Sequence, residues 1–179
     1  MNTKQHDCIV ATIESPLGPL VIGALPAGVC LLEFSTPVRL DSQLETLRRQ
    51  LRCNTVPGDH PHLEQLRAEL AAYFDRRLTT FTVPLVIAGT TFQERVWNAL
   101  LEIPYGATCS YEDLARNVGV DRGQRAVGHA NGSNRIAIVV PCHRVINKSG
   151  KLGGYGGELW RKRALLRLET GGTLLDFDA

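Results

Sequence analysis

The sequence has no apolar run near the roughly 18 residues that a membrane-spanning helix needs, and its first residues hold no basic stretch leading into a hydrophobic one. Neither a membrane anchor nor a secretory leader is expected. There is also no CxxC pair: the five cysteines, Cys8, Cys30, Cys53, Cys109 and Cys142, form an odd, widely spaced set. That pattern argues against a disulfide framework and a zinc knuckle, and points to a reducing, cytoplasmic setting. No internal repeat and no low-complexity tract occurs. An excess of one charge is missing as well, with 20 Lys and Arg against 18 Asp and Glu, so nucleic-acid binding has to be argued from where charges sit. What is present is 44% apolar residues over 179 positions, enough for one large domain or two small ones.

The two halves differ in pattern. Short apolar runs, Cys8 to Ile13, Leu20 to Ala24 and Val29 to Phe34, are separated by the turns Ser15-Pro16-Leu17-Gly18 and Pro26-Ala27-Gly28, which predicts an antiparallel meander. Helical spacing follows over 42–52 and 62–74, interrupted at 54–61 by Pro57-Gly58 and Pro61. The proline-broken segment 76–89 marks a boundary near residue 85, giving an expected support domain at 1–85 and a second domain at 86–179. The expected fold class is α/β in the α+β sense, an N-terminal antiparallel sheet with helices and then a helical domain.

In the second half, Thr91-Phe92-Gln93-Glu94 is a capping-box signature, and Phe92, Val96, Leu100 and Ile103 recur at helical spacing until Pro104. Ser110-Tyr111-Glu112-Asp113 opens a second helix in the same way, with Gly119 as its stop. Asp121, with Gln124 at the reciprocal position, is expected to cap a third helix that runs to about Asn131. Two short helices joined by a tight glycine-containing turn are a helix-turn-helix candidate, a device also common in purely structural bundles. Small residues dominate the third helix. Its Gly128 costs roughly 1 kcal/mol against alanine in a helix interior, so the missing side chain serves either packing on a neighbouring helix or close approach to a duplex. Arg125 is suited to pairing with phosphate or entering a gap in a base stack.

Val139-Val140-Pro141-Cys142-His143-Arg144-Val145 sets one cysteine between a β-branched run and a histidine. Thiolate is the nucleophilic form, and an adjacent imidazole populates it. Neighbours on an extended segment point to opposite faces, however, so direct contact there needs a turn or a bridging water. A cysteine packed at a strand end beside a surface histidine is the other reading.

Arg125-Ala126-Val127-Gly128, Asn134, Pro141-Cys142-His143-Arg144-Val145, Gly154-Tyr155 and Glu169 together resemble the methylated-DNA-protein-cysteine methyltransferases, the O6-alkylguanine-DNA alkyltransferase family. The likeness runs from Gly89 to about Gly171, and Ser15-Pro16-Leu17-Gly18 extends it loosely into the first half. It implies a ribonuclease H-like N-terminal domain, a winged-helix-like C-terminal one, and the short constitutive form, since no methylphosphotriester module is seen. It further implies Cys142 as alkyl acceptor, His143 as the base acting through a water, and Glu169 as the group that orients His143. Asn134 would tie the recognition helix to the active-site strand, and Tyr111 would contact the target nucleotide. Val145, Tyr155 and Gly156 would complete the substrate site, with Gly156 widening it, while Arg125, Ala126, Gly128 and Tyr111 would meet DNA in the minor groove. The implied partner is double-stranded DNA carrying O6-alkylguanine, with O4-alkylthymine as a second substrate and the nucleotide flipped out. The protein would act as a monomer with no cofactor. No metal is expected, because Cys8, Cys30, His6, His60 and His62 do not reproduce the spacing of the zinc site found in some relatives.

Departures from the family pattern are His129 in place of a small residue and Asn131 in place of a more apolar one. Arg161, Lys162, Arg163 and Arg167 read as a solvated face around the stripe Trp160, Ala164, Leu165 and Leu168, although Lys162 aligns with a family lysine near the active site. Two other classes fit parts of the pattern: a lesion-binding protein that transfers nothing, and a cysteine hydrolase built on a Cys, His and Glu set.

Overall fold

Short apolar runs make the first strands, β1 (Asp7–Ile13), β2 (Leu20–Leu25) and β3 (Gly28–Phe34), an antiparallel meander with Val10 opposite Gly23 and Gly23 opposite Leu31. The structure is a computed structural model describing residues 6–172, and it divides into two units, Met1–Ala88 and Gly89–Ala179. In the first unit the stretch expected only to break two helices forms β4 (Asn54–Pro57), which pairs parallel to β1. The sheet is therefore mixed, in the order β3-β2-β1-β4, rather than wholly antiparallel. The backbone groups on the outer edge of β1 need partners, and an edge strand tolerates Pro57 at its end.

Helix α1 (Pro37–Leu51) starts five residues before its predicted position, with proline at the head where its fixed φ suits the first turn. Helix α2 (Pro61–Phe74) starts after His60, whose Nδ1 accepts from the His62 amide at 3.2 Å. Every residue of β3 is buried, so both faces of the sheet are covered. Leu44, Leu47 and Leu51 of α1 pack with Cys8, Cys30, Leu31 and Cys53. Helix α2 buries Leu63, Leu66, Leu70 and Tyr73 against β2 and β3. The Cys8 and Cys30 sulfurs meet at 3.4 Å across β2, above Gly23, where an added Cβ would stand 3.2 Å from Cys8 Sγ. The outer edge of β3 is partly covered, since the Val29 amide donates to Pro84 O and Val29 O accepts from the Val86 amide, both at 2.8 Å.

In the second unit α3 (Thr91–Leu101) has a capping box one residue earlier than predicted, between Thr90 and Gln93. Helix α4 (Tyr111–Asn117) is capped by Ser110, which accepts from the Asp113 amide at 3.0 Å, and Gly119 ends the turn after it at a φ of 69°. Helix α5 (Gln124–Gly132) is not capped by Asp121 as expected. Gly123 holds that position without a side-chain bond, because a turn closed by the Gly123 amide on Val120 O, with Arg122 at a φ of 59°, leaves Asp121 outside the helix. The short strand β5 (Cys109–Ser110) pairs parallel with β6 (Val145–Ile146), and α6 (Leu159–Glu169) closes the unit. Helices α3, α4 and α5 pack on one another, and Trp97 Nε1 donates to Ala130 O at 2.7 Å, fixing the end of α5. No described helix is long and apolar enough to cross a membrane.

Candidate active site

Residues 134–146 are not a strand leading to Cys142. They form a wound segment held from within by Asn134, which is 2% exposed. Its Oδ1 accepts from the Ile136 amide at 3.0 Å, and its Nδ2 lies 2.9 Å from Val140 O, 3.4 Å from Ile136 O and 3.1 Å from Cys142 Sγ. One side chain thus shapes the loop and donates to the sulfur. Within that loop Ile138 has a φ of 69°, with the Val139 amide turned back on Ala137 O at 2.7 Å. A β-branched residue held there costs on the order of 1–3 kcal/mol, a strain sustained by the surrounding bonds.

Cys142, His143 and Arg144 then make a single 3-10 turn, which corrects the extended geometry expected for Cys142 and His143. Cys142 is 5% exposed, and His143 is fully buried rather than at the surface. His143 Nε2 meets Glu169 Oε1 at 2.8 Å, and its Nδ1 is buried with no hydrogen-bond partner among the described residues. Burial holds the His143 imidazole below its ordinary pKa, over the opposing pull of Glu169, so the neutral ring is the resting form. Burial alone would raise the Glu169 carboxyl. Hydrogen bonds from His143 and the ion pair with Arg144 outweigh it and hold the group well below the usual carboxylate range.

Arg144, quoted in the sequence motif without a role, is central to this arrangement. Its Nε reaches Glu169 Oε2 at 2.9 Å, its Nη2 reaches Oε1 at 3.0 Å, and its Nη1 donates to Ile103 O at 2.6 Å. The Gly106 amide adds a bond to Glu169 Oε2 at 3.1 Å. A buried carboxylate so saturated stays charged.

Lys162 is not part of a solvated face. It is fully buried, its Nζ donates to Val145 O at 2.6 Å, and it stands 5.8 Å from the centre of the Tyr111 ring. Burial pushes its ammonium down to about 8, against the opposing influence of Cys142. Trp160, placed with the apolar stripe, is instead exposed, while Ala164, Leu165 and Leu168 are buried. Tyr111 heads α4, and its hydroxyl pKa is raised by burial and by Cys142. A Cβ on Gly153 would come within 2.9 Å of the Tyr111 ring, so that glycine gives the ring room. A Cβ on Gly128 would meet the same ring at 3.8 Å, an ordinary contact that leaves space for alanine.

Gln124, Arg125, Ala126 and His129 are exposed on α5, and Val127 and Ala130 face inward. Val145 is buried; Tyr155 and Gly156 are half-buried in the irregular segment before α6. Asn131, noted in the sequence only as a departure, is buried and donates from Nδ2 to Cys142 O at 3.2 Å. Its spacing of three from Gly128 on the helix was the available signal.

Residues 91–171 match the family model of the 6-O-methylguanine DNA methyltransferase DNA-binding domain, and residues 9–87 match the ribonuclease-like domain of the same proteins. The chain belongs to the 6-O-methylguanine DNA methyltransferase family. Among relatives of this methyltransferase, the methylated-DNA-protein-cysteine methyltransferase of Mycobacterium tuberculosis is 49% identical over 158 residues, covering 88% of this chain and 90% of the relative. That of Methanosarcina acetivorans is 42% identical over 159 residues, covering 89% and 96%. A crystal structure of Mycobacterium tuberculosis OGT in complex with DNA superposes with a TM-score of 0.80 at 42% identity, covering 97% of this chain and 99% of that one. The α/β sheet unit followed by a helical unit is the methyltransferase architecture.

Proposed function

We infer that this methyltransferase repairs duplex DNA by moving the alkyl group of O6-alkylguanine, once and irreversibly, onto Cys142. The observation that carries the reading is the buried set around one sulfur: Asn134 donating to Cys142 Sγ, and, on the residue adjoining it, a neutral His143 paired with an ionised Glu169. A packed structural cysteine needs none of these groups.

The exposed face of α5, with Arg125 beside the small Ala126, suits entry into the minor groove, where contacts position the protein without reading sequence. Rotating the damaged nucleotide out of the stack costs a few kcal/mol, less for a poorly paired base, and Arg125 fills the gap. Tyr111, Val145, Tyr155 and Gly156 receive the base. The Cys142 thiol gives its proton through a water to His143 Nδ1, the ring nitrogen left open by the Glu169 bond. Glu169 stabilises the imidazolium as it forms, and Arg144 keeps Glu169 ionised and aimed. Sulfur then bonds the alkyl carbon as the carbon–O6 bond breaks, and its electron pair stays on guanine. Guanine takes up one proton, equal to the one lost by sulfur, and Tyr111 donates it.

The product thioether is inert, so one molecule repairs one base. DNA supplies the alkyl group and the protein accepts it, which balances the reaction without a cofactor. O4-alkylthymine presents the same exocyclic ether and is a second substrate. A monomer in the cytoplasm belongs to the same reading, since each lesion consumes one chain and a reducing compartment keeps Cys142 a thiol.

Weighing the intact protein after mixing with a duplex containing O6-methylguanine tests the reading. The expected result is a permanent gain of one methyl group at Cys142, and a Cys142→Ala variant that still binds DNA but gains nothing. Binding without any mass gain in the unaltered protein would point to a lesion-recognition protein instead.

A further inference from the structure

The transfer mechanism gives no task to Asn131. Its amide is buried on α5 and donates from Nδ2 to Cys142 O at 3.2 Å, while its Oδ1 is buried with no hydrogen-bond partner among the described residues. A carbonyl oxygen left in that state weakens a fold, and leucine, of similar size, would fill the space without the cost. Packing therefore does not account for the residue. Asn131 lies one helical turn after Gly128, and the Cβ position of Gly128 faces the Tyr111 ring at 3.8 Å, which puts Asn131 on the tyrosine-facing side of α5. Burial and Cys142 both raise the Tyr111 hydroxyl pKa, and the neighbouring Asn131 side chain acts in the opposite direction.

We propose that Asn131 is a positioning residue for alkyl transfer, whose amide nitrogen bridges the Cys142 carbonyl and the Tyr111 oxygen and so leaves the tyrosine O–H to donate to the departing guanine. The inference rests on the transfer reading above. Two acceptors match the two amide protons of Asn131, and the arrangement needs nothing from Oδ1. As the carbon–O6 bond breaks, guanine keeps the electron pair and takes the Tyr111 proton. Tyr111 is restored by the proton that left Cys142, passed on through His143 and solvent. The same amide also joins the helix bearing Arg125 to the turn bearing the sulfur.

A double-mutant cycle over Asn131→Leu and Tyr111→Phe tests this, with single-turnover transfer from O6-methylguanine duplex, duplex affinity and melting temperature measured on all four proteins. Asn131→Leu should melt at or above the unaltered protein, bind duplex within about threefold of it, and transfer about tenfold more slowly, whereas in the Tyr111→Phe background it should slow transfer by less than about twofold. Equal slowing in both backgrounds overturns the inference. So does a loss of melting temperature that accompanies the loss of rate. If the leucine variant does not fold, Asn131→Ala is read by the same criteria. An unaltered protein that transfers nothing sinks the transfer reading itself; normal transfer with additive changes sinks only the role of Asn131.

Discussion

At neutral pH Lys162 carries its charge into a place without solvent, held by the Val145 carbonyl and the face of Tyr111. Its pKa is about 8, against 10.5 for a free lysine. Below about pH 8 the folded and unfolded chains both hold the proton, so the cost of burying the ammonium is constant. Between 8 and 10.5 the unfolded chain binds more protons, and this group makes stability rise with pH. Denaturant titrations of wild type and Lys162→Met should therefore diverge across that window, with the wild type gaining on the variant. A constant difference from pH 7.5 to 10.5 would refute the assignment. The burial was legible: Lys162, Leu165 and Glu169 recur at spacings of three and four, along one side of α6. Four basic residues in a short stretch pointed to solvent, and nothing local in the sequence supplies the distant carbonyl that makes an interior position tolerable.

Among the elements, α5 separates fold from function most cleanly. Alanine at Gly128 meets Tyr111 at an ordinary distance and gains helix propensity, so Gly128→Ala should stabilise the protein by up to about 1 kcal/mol in urea titrations. If the missing side chain serves close approach to the minor groove, the same variant binds duplex DNA more weakly in fluorescence anisotropy. Unchanged affinity would remove Gly128 from the DNA surface. Caps written in a few adjacent residues, Thr90 with Gln93 and Ser110 with Asp113, could be read within a residue of their true places. The start of α5 could not, because Arg122 in a left-handed conformation shifts Asp121 out of register. The segment 136–142 was equally opaque. Its valines and isoleucines favour a strand, yet Asn134 binds their backbone groups from the side and winds them into turns.

For the whole molecule, the buried charge set makes acid the weak direction. The folded chain keeps His143 neutral and Glu169 ionised at pH values where an unfolded chain protonates both, so unfolding takes up protons. Stability is fully present above about 6.5, declines as pH falls below it through His143, and declines further below about 4.5 through Glu169. Glu169→Gln should lose the lower step. At pH 7 it should be less stable by about 3–5 kcal/mol, since Arg144 is left buried without its counter-charge. Unfolding curves from pH 3 to 8 check both points, and an unchanged acid limb in the variant would contradict them. The family, the division into a sheet unit and a helical unit, and the cluster of Cys142, His143 and Glu169 were accessible through recurring strings of residues. The role of Arg144 in clamping that cluster was not, because it depends on two chain segments 25 residues apart meeting in the interior.

The sulfurs of Cys8 and Cys30 touch, but they lean toward each other over an intervening strand. Their Cα atoms belong to strands two places apart, a span that sheet spacing sets near the roughly 9 Å that two extended cysteine side chains and a 3.4 Å contact can cover, whereas a disulfide bridges at most about 6.8 Å. Closing that bond would mean tearing β2 from its neighbours. Under peroxide the sheet therefore has no covalent latch to spring at this point, and oxidation falls on one thiol at a time rather than joining the two.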